Sequence, residues 1–306
     1  MSQPVAHPMN NGSFAAKILL LGEYTIIKGS KGLAIPLPQF SASFHQAEKR
    51  DDVNIAFRLD DFHHYLTGSD ILSKSMNLGQ FSKDIEKGIY LNSNIPSGYG
   101  IGSSGALCAA IYARYAYDFD RKDHYTNEEL NHLKDVMALM ENFYHGTSSG
   151  LDCLISLVDQ PVLIEERNNY KLVEQPDLDS LGKFYLFDSG QGRKTATFVY
   201  SFLEQYASDE GYKNEIDAHI EEVNALVNTA TSGDKAAFKK GLETLSQFQF
   251  KNYKAMIPDH VCDLWKQGLE TGEHNFKLCG AGGGGFFLVY SEDNALQGRE
   301  DFIAIN

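Results

Sequence analysis

Residues 95–111 read IPSGYGIGSSGALCAAI, a glycine-rich loop running directly into an apolar, helix-favouring segment. Few features restrict a fold more, because such a loop asks for a strand before it and a helix start at its end, where a ligand or another backbone comes close. Gly100, Gly102 and Gly105 fit G-x-G-x-x-G, and Asp118 and Asp120 follow near the distance of a dinucleotide fold's ribose-binding acid. The topology does not follow. That fold needs a second strand ending at the acid, whereas the helical pattern here continues from Ser103 to about Phe119. A Walker-type loop needs Lys-Ser or Lys-Thr after its last glycine, and a protein-kinase loop needs H-R-D and D-F-G downstream; the sequence has none of these. Two readings remain. One is a tight turn with Ser103 or Ser104 as helix N-cap. The other is a phosphate-binding loop: the glycines let a phosphate reach backbone N–H groups, the serines add hydroxyls and free amides, and the helix dipole favours an anion. A serine hydroxyl there can also hold magnesium, which prefers oxygen ligands.

The rest of the pattern alternates strands and helices. AAKILLLGEYTII at 15–27 predicts a buried strand and turn. KGLAIPL (31–37), SASFHQ (41–46), VNIAFRL (53–59) and GIYLNSNIP (88–96) predict further strands, and 60–80 gives no clear periodicity. A second helix begins at TNEEL, where Thr126 and Glu129 form a capping box, and Leu130, Leu133, Met137, Met140 and Tyr144 recur at helical spacing. HGTSSGLD (145–152) ends it, and CLISLV is a new apolar element. A domain boundary is expected in the polar stretch 165–182, giving domains 1–175 and 176–306. Beyond it come a strand at 183–190, helices near 195–208, 213–230, 234–250 and 258–270, and a strand–glycine loop–strand in FKLCGAGGGGFFLVY.

A net charge of −14 argues against general binding to nucleic acid or an anionic membrane, since both need positive potential. The four cysteines, Cys108, Cys153, Cys262 and Cys279, are scattered, which favours reduced thiols in a cytoplasmic protein over zinc or disulfides. No signal peptide or membrane span is expected, and histidine spacing offers no metal site.

Three charged residues stand in unexpected places. Glu141 lies about 40° from Met137 at about 100° per residue, on the shoulder of the apolar stripe, where a desolvated carboxylate needs a partner, a metal or an edge that reaches water. Asp152 follows S-S-G-L as a helix cap or a catalytic acid. Lys17 interrupts AAKILLL, at an edge or paired. Together they supply a cation, two carboxylates and a phosphate loop, the minimum for phosphoryl transfer.

At this point the sequence resembles the GHMP small-molecule kinases (galactose, homoserine, mevalonate and phosphomevalonate kinases). KILLLGEYTIIKG (17–29), IPSGYGIGSSGA (95–106) and KLCGAGGGG (277–285) are similar to the three family motifs, in order and across nearly the whole chain. The resemblance implies an α+β, two-domain fold: an N-terminal domain like the second domain of ribosomal protein S5, and a ferredoxin-like C-terminal domain. It implies ATP and Mg2+ as cofactors, with Pro96, Gly98, Gly100, Gly102, Ser103, Ser104, Gly105, Gly282 and Gly283 on ATP, and Glu141 and Ser104 on the metal. HGTSSGLD resembles the mevalonate-kinase type of segment, which makes Asp152 the catalytic base for a substrate hydroxyl, and Lys17 matches the catalytic lysine that steers that aspartate or the γ-phosphate. Glu23, Tyr24, Ser149, Arg193 and Lys194 are the implied substrate contacts. The partner is a small-molecule alcohol, mevalonate first, with a homodimer allowed; the alternatives are phosphomevalonate, a sugar or homoserine as substrate, or a nucleotide-binding regulator without catalysis. Departures from the motifs include Ala15-Ala16 for Pro-Gly, Gly105 for Ala, Thr147-Ser148 for Asn-Pro, Cys279 for Thr or Ser, and Gly-Glu-Tyr at 22–24, the phosphomevalonate-kinase form.

Overall fold

The computed structural model describes residues 7–8, 12–47, 58–192 and 196–306, with the side chains of residues 7, 8 and 196 left undescribed. The strand expected at 53–59 lies mostly outside these residues. The chain divides into two interleaved compact units. The first holds Met1–Lys17, Pro36–Pro96 and Gly102–Asp159; the second holds Ile18–Ile35, Ser97–Ile101 and Gln160–Asn306. The first two motifs are therefore each divided between the units, one after Lys17 and the other after Pro96 and again after Ile101.

In the first unit, β1 (His7–Pro8), the start of β2 (Phe14–Leu21) and most of β3 (Gly32–Gln46) supply the first strands. The stretches 31–37 and 41–46 are one strand, not two. Helices α1 (Leu59–Thr67), α2 (Asp70–Ser75) and α3 (Leu78–Glu86) occupy the segment that lacked periodicity. The turns of α2 and α3 are started by side-chain caps, Ser69 on Leu72 N–H and Asn77 on Gln80 N–H. Then β4 (Ile89–Ser93) pairs antiparallel with β3 from Ala42↔Ser93 to Gln46↔Ile89.

Helix α4 (Ser103–Tyr115) is buried at every position from Gly105 to Tyr112, which is why its residues are small and apolar on all faces. It stops short of the expected Phe119. Ala116 is extended, Asn77 N–H donates to Tyr115 O (2.7 Å), and Tyr117 N–H donates to Ser75 O (3.0 Å). Helix α5 (Asn127–His145) opens with the expected capping box, Thr126 Oγ1 accepting from Glu129 N–H (3.2 Å) and Glu129 Oε2 accepting from Thr126 N–H (2.8 Å). Helix α6 (Leu151–Val158) completes this unit.

In the second unit, the first residues of β3 pair with β5 (Val162–Glu166), Gly32↔Ile164 to Ala34↔Val162, and β5 pairs with β6 (Asn169–Leu172). After the single turn α7 (Leu178–Leu181), β7 (Lys183–Asp188), β8 (Asn275–Leu278), β9 (Phe286–Ser291) and β10 (Phe302–Ala304) form an antiparallel sheet ordered β10-β7-β9-β8, the ferredoxin-like order. Helices α8 (Ala196–Ser208), α9 (Glu210–Ser232), α10 (Lys235–Asn252) and α11 (Asp259–Thr271) fall where the periodicity places them. Trp265 on α11 packs on Phe276 and Phe287 of the sheet, and its indole N–H donates to Ser246 Oγ (2.9 Å). Among the described residues no helix is long and apolar enough to cross a membrane.

Candidate active site

Lys17 lies near the middle of β2, in an otherwise apolar strand. Its side chain is 6% exposed, and its Nζ sits 2.9 Å from Asp152 Oδ1, whose side chain is 31% exposed. Neither residue is a surface edge: the interior lysine is neutralised by a carboxylate that still reaches water. Asp152 stands in the first turn of α6, where the helix dipole favours negative charge. The Ser156 hydroxyl, one turn on, donates to Ala15 O (2.5 Å) and staples α6 to β2 two residues before Lys17.

The loop residues close on this pair. Gly102 is the N-cap of α4, with φ 83°, and no side chain caps the helix; this corrects the expectation that Ser103 or Ser104 is the cap. Glycine takes the left-handed φ at little cost, and the serines then occupy the first helical turn. A Cβ on Gly105 would lie 3.0 Å from Asp152 C and from Cys153 N, so α4 rests directly on the backbone of the Asp152 turn. The departure to glycine after the twin serines thus coincides with a backbone contact.

Ser104 does not cap but reaches sideways. Its hydroxyl donates to Glu141 Oε1 (2.7 Å) and lies 2.9 Å from His145 Nε2. Glu141 is 4% exposed, on the buried shoulder that periodicity assigns it. Its second oxygen, Oε2, accepts a short hydrogen bond from the Ser148 hydroxyl. One carboxylate, two hydroxyls and an imidazole are thus gathered at the end of α5. Sequence reasoning missed His145 and Ser148; both lie in the quoted HGTSSGLD segment. Ser149, the residue expected there, is exposed, and its Oγ accepts from Leu151 N–H (3.3 Å). Cys108 and Cys153 are buried, and burial pushes both thiols up, so neither is a nucleophile at neutral pH.

A second cluster is built within the second unit. The turn after β2 carries Glu23 and Tyr24. Glu23 Oε1 accepts from Lys277 Nζ (2.5 Å), and the same ammonium donates to Leu19 O (3.2 Å) and Leu278 O (2.6 Å). Tyr24 packs on Phe202 and Tyr253, and its hydroxyl donates to Ala281 O (2.6 Å) in the third motif. Gly283 N–H donates to Met256 O (2.6 Å), Gly285 N–H to Gln191 O (2.7 Å) and Phe286 N–H to Tyr99 O (3.2 Å), so the run from Gly282 to Gly285 is a structured loop tied to the backbone of the second motif. Gly98 and Gly100 lie on that same motif segment with φ 79° and 87°, and Pro96 precedes it. Lys277 was missed, although it stands alone in an apolar strand as Lys17 does. Arg193 and Lys194 lie outside the described residues.

Residues 70–160 match the family described as the GHMP kinases N terminal domain. Over 300 residues the chain is 25% identical to a mevalonate kinase of Thermococcus sibiricus, covering 89% of this chain and 86% of that protein. It is 25% identical to a mevalonate kinase of Dictyostelium discoideum over 66% of this chain, a match that spans 57% of the relative's length. Among solved structures, L. major mevalonate kinase in complex with R-mevalonate superposes with a TM-score of 0.64 at 16% identity, over 96% of this chain and 90% of that one. Streptococcus pneumoniae phosphomevalonate kinase in complex with phosphomevalonate and AMPPNP gives 0.61 at 17%, over 93% of each chain. The α+β, two-domain architecture is that of the GHMP kinases.

Proposed function

We propose that this chain is an ATP-dependent kinase that phosphorylates the hydroxyl of a small alcohol, with mevalonate the first candidate. The Lys17–Asp152 pair carries the reading: a buried ammonium beside a carboxylate that remains open, at the start of a glycine-capped helix. The substrate hydroxyl oxygen attacks the γ-phosphorus, the bond to the leaving ADP oxygen breaks, and the hydroxyl proton passes to Asp152. Lys17 orients Asp152 and adds positive charge beside the transferring group, while the α4 amides and dipole favour phosphate oxygens. Positioning and electrostatics supply most of the catalysis in such a transfer.

The donors at the end of α5 fit magnesium. Glu141 offers carboxylate oxygens and Ser104 a hydroxyl, while Ser148 and His145 orient them. Among the described residues no group of three or more His, Cys, Asp or Glu is gathered. That suits an ion taking one or two protein oxygens and completing its shell with phosphate and water. Bound there, magnesium would neutralise phosphate charge.

Pro96, Gly98, Gly100, Gly102, Ser103, Ser104, Gly105, Gly282 and Gly283 are assigned to ATP in this reading, and Ser149, Arg193 and Lys194 to substrate. Direct substrate contact through Glu23 would need its pair with Lys277 to open, so we assign Glu23 and Tyr24 to shaping the loops. The domain division at 175, the cytoplasmic location and a homodimer belong to the same proposal. Phosphomevalonate is the second substrate candidate, favoured by Gly-Glu-Tyr at 22–24. ATP consumption by the purified chain with mevalonate, phosphomevalonate, galactose and homoserine tests the assignment. Turnover of mevalonate is expected. Turnover of phosphomevalonate alone moves the assignment to the second candidate, and ATP binding without turnover on any of the four identifies a nucleotide-binding regulator.

A further inference from the structure

We propose that a recess between the end of α4 and the start of α5 binds a small organic cation, a primary ammonium or guanidinium on an apolar body. All of its lining belongs to the first unit, and its volume is about 450 Å³, within the range of small-molecule pockets. It is separate from the Lys17–Asp152 pair. From Ser104 to Tyr112 along α4 is about 12 Å at 1.5 Å per residue.

The lining has two parts, and each suits a cation. Tyr112, Tyr117, Phe119 and Tyr125 contribute aromatic surface, with Tyr112 and Phe119 ring centres 5.6 Å apart. Tyr117 is 61% exposed at a point where its backbone is pinned by Ser75, an aromatic ring held at the surface without cover. Ring faces attract ammonium and guanidinium groups. Carboxylates outnumber cations: Asp118, Asp120, Glu128 and Glu129 line the recess against Lys74 and Lys122, and Lys122 is already paired with Glu129 at 2.7 Å. Among the described residues neither Asp118 nor Asp120 has an ion-pair or hydrogen-bond partner.

Tyr112 is the independent sign of a ligand. Its side chain is 7% exposed, it lines the recess, and its hydroxyl makes no hydrogen bond among the described residues. The hydroxyl oxygen itself opens onto the recess, where an incoming N–H group can meet it. Burial and the nearby Asp118 push the phenol up, so it stays neutral and its oxygen can accept from an N–H donor. A cationic N–H group satisfies Tyr112, Asp118 and Asp120 together, and its apolar body covers the rings.

Calorimetric titration of the full chain with phenethylamine and with agmatine tests this, using 2-phenylethanol as the neutral analogue of the first. Saturable binding of at least one amine is expected, at least about tenfold tighter than the alcohol, which corresponds to about 1.4 kcal/mol. Tyr112→Phe and the double variant Asp118→Asn/Asp120→Asn should each weaken it severalfold. These changes conserve shape, and circular dichroism confirms that the variants fold. Asp152→Asn should bind the amine as the wild type does, because the recess is separate from the proposed catalytic pair. No saturable binding of either amine up to about 10 mM, in the range of the weakest specific affinities, overturns the proposal. So does equal binding of the alcohol, or unchanged affinity in either recess variant.

Discussion

Two lysine–carboxylate pairs flank the first motif, and they differ in one property. Lys17 meets Asp152 with the lysine 6% and the carboxylate 31% exposed; Lys277 meets Glu23 with both at 1%. Lys17 and Glu23 are only six residues apart in sequence, yet Lys17 belongs to the first unit and Glu23 to the second. The open pair leaves its carboxylate in reach of water, as the proposed proton transfer requires. The closed pair spends its ammonium on Glu23 and two backbone carbonyls, which fixes the turn carrying Tyr24 and, through the Tyr24 hydroxyl, the third motif. Opening to solvent, more than charge itself, separates a pair that can do chemistry from one that can only hold a shape.

The sharpest way to break this comparison is to remove a lysine from each pair. Lys277→Met removes the ammonium paired with buried Glu23 and should cost about 3–5 kcal/mol. The shift is measurable in urea by fluorescence of Trp265, the single tryptophan, which lies in the core of the second unit. Lys17→Met should shift that transition far less and instead lower kcat by about 10²-fold or more, the scale of a lost charge-stabilising group. Equal stability losses in the two variants would erase the distinction. Gly105→Ala should come next. Its methyl group meets the Asp152–Cys153 backbone at 3.0 Å, so overpacking of about 1–3 kcal/mol is expected, with kcat falling because Asp152 moves. Wild-type kcat in that variant would show that the contact is not what places the carboxylate.

Ser148→Ala should act more gently. It removes the hydroxyl that orients Glu141 without touching the open pair, so the magnesium concentration for half-maximal activity should rise by about tenfold, with kcat at saturating magnesium little changed. The smallest effect belongs to pH. Burial lowers the pKa of His219 and of His274, both in the second unit. Each binds a proton more readily unfolded than folded, so stability is full above the ordinary histidine range near 6.5 and falls as pH drops below it. Thermal melts between pH 7 and pH 5 should show the decline, and His219→Gln should flatten it; an unchanged slope would remove His219 as a contributor.

Much of this was legible in the sequence where one residue type has one physical use. The Thr126–Glu129 box, the four helices between 196 and 271, and the strand–loop–strand around the third motif all rest on local signals. Lys17 and Glu141 could be singled out because a charge within an apolar pattern demands a partner. The partners were harder. Ser148 and His145 meet Ser104 and Glu141 only once α4 and α5 are packed together, and Lys277 lies 254 residues from Glu23. The signal for Lys277 was nevertheless present, since a lysine alone in NFKL repeats the pattern of AAKILLL. Helices α1 to α3 were illegible because each has nine residues or fewer and is set by caps and packing instead of a long stripe. The two strands expected at 31–37 and 41–46 are continuous through Pro36 and Pro38. Both prolines fall between the stretch paired with β5, 32–34, and the stretch paired with β4, 42–46.

The central claim is that Asp152 takes the substrate proton. It is tested most directly by Asp152→Asn, which keeps the shape and the hydrogen-bond acceptor beside Lys17 but removes the base. With mevalonate and saturating Mg-ATP, kcat should fall by about 10²–10⁴-fold while the ATP dissociation constant stays within about twofold, or 0.4 kcal/mol, of the wild type. An Asp152→Asn enzyme that turns over at near the wild-type rate would contradict the account.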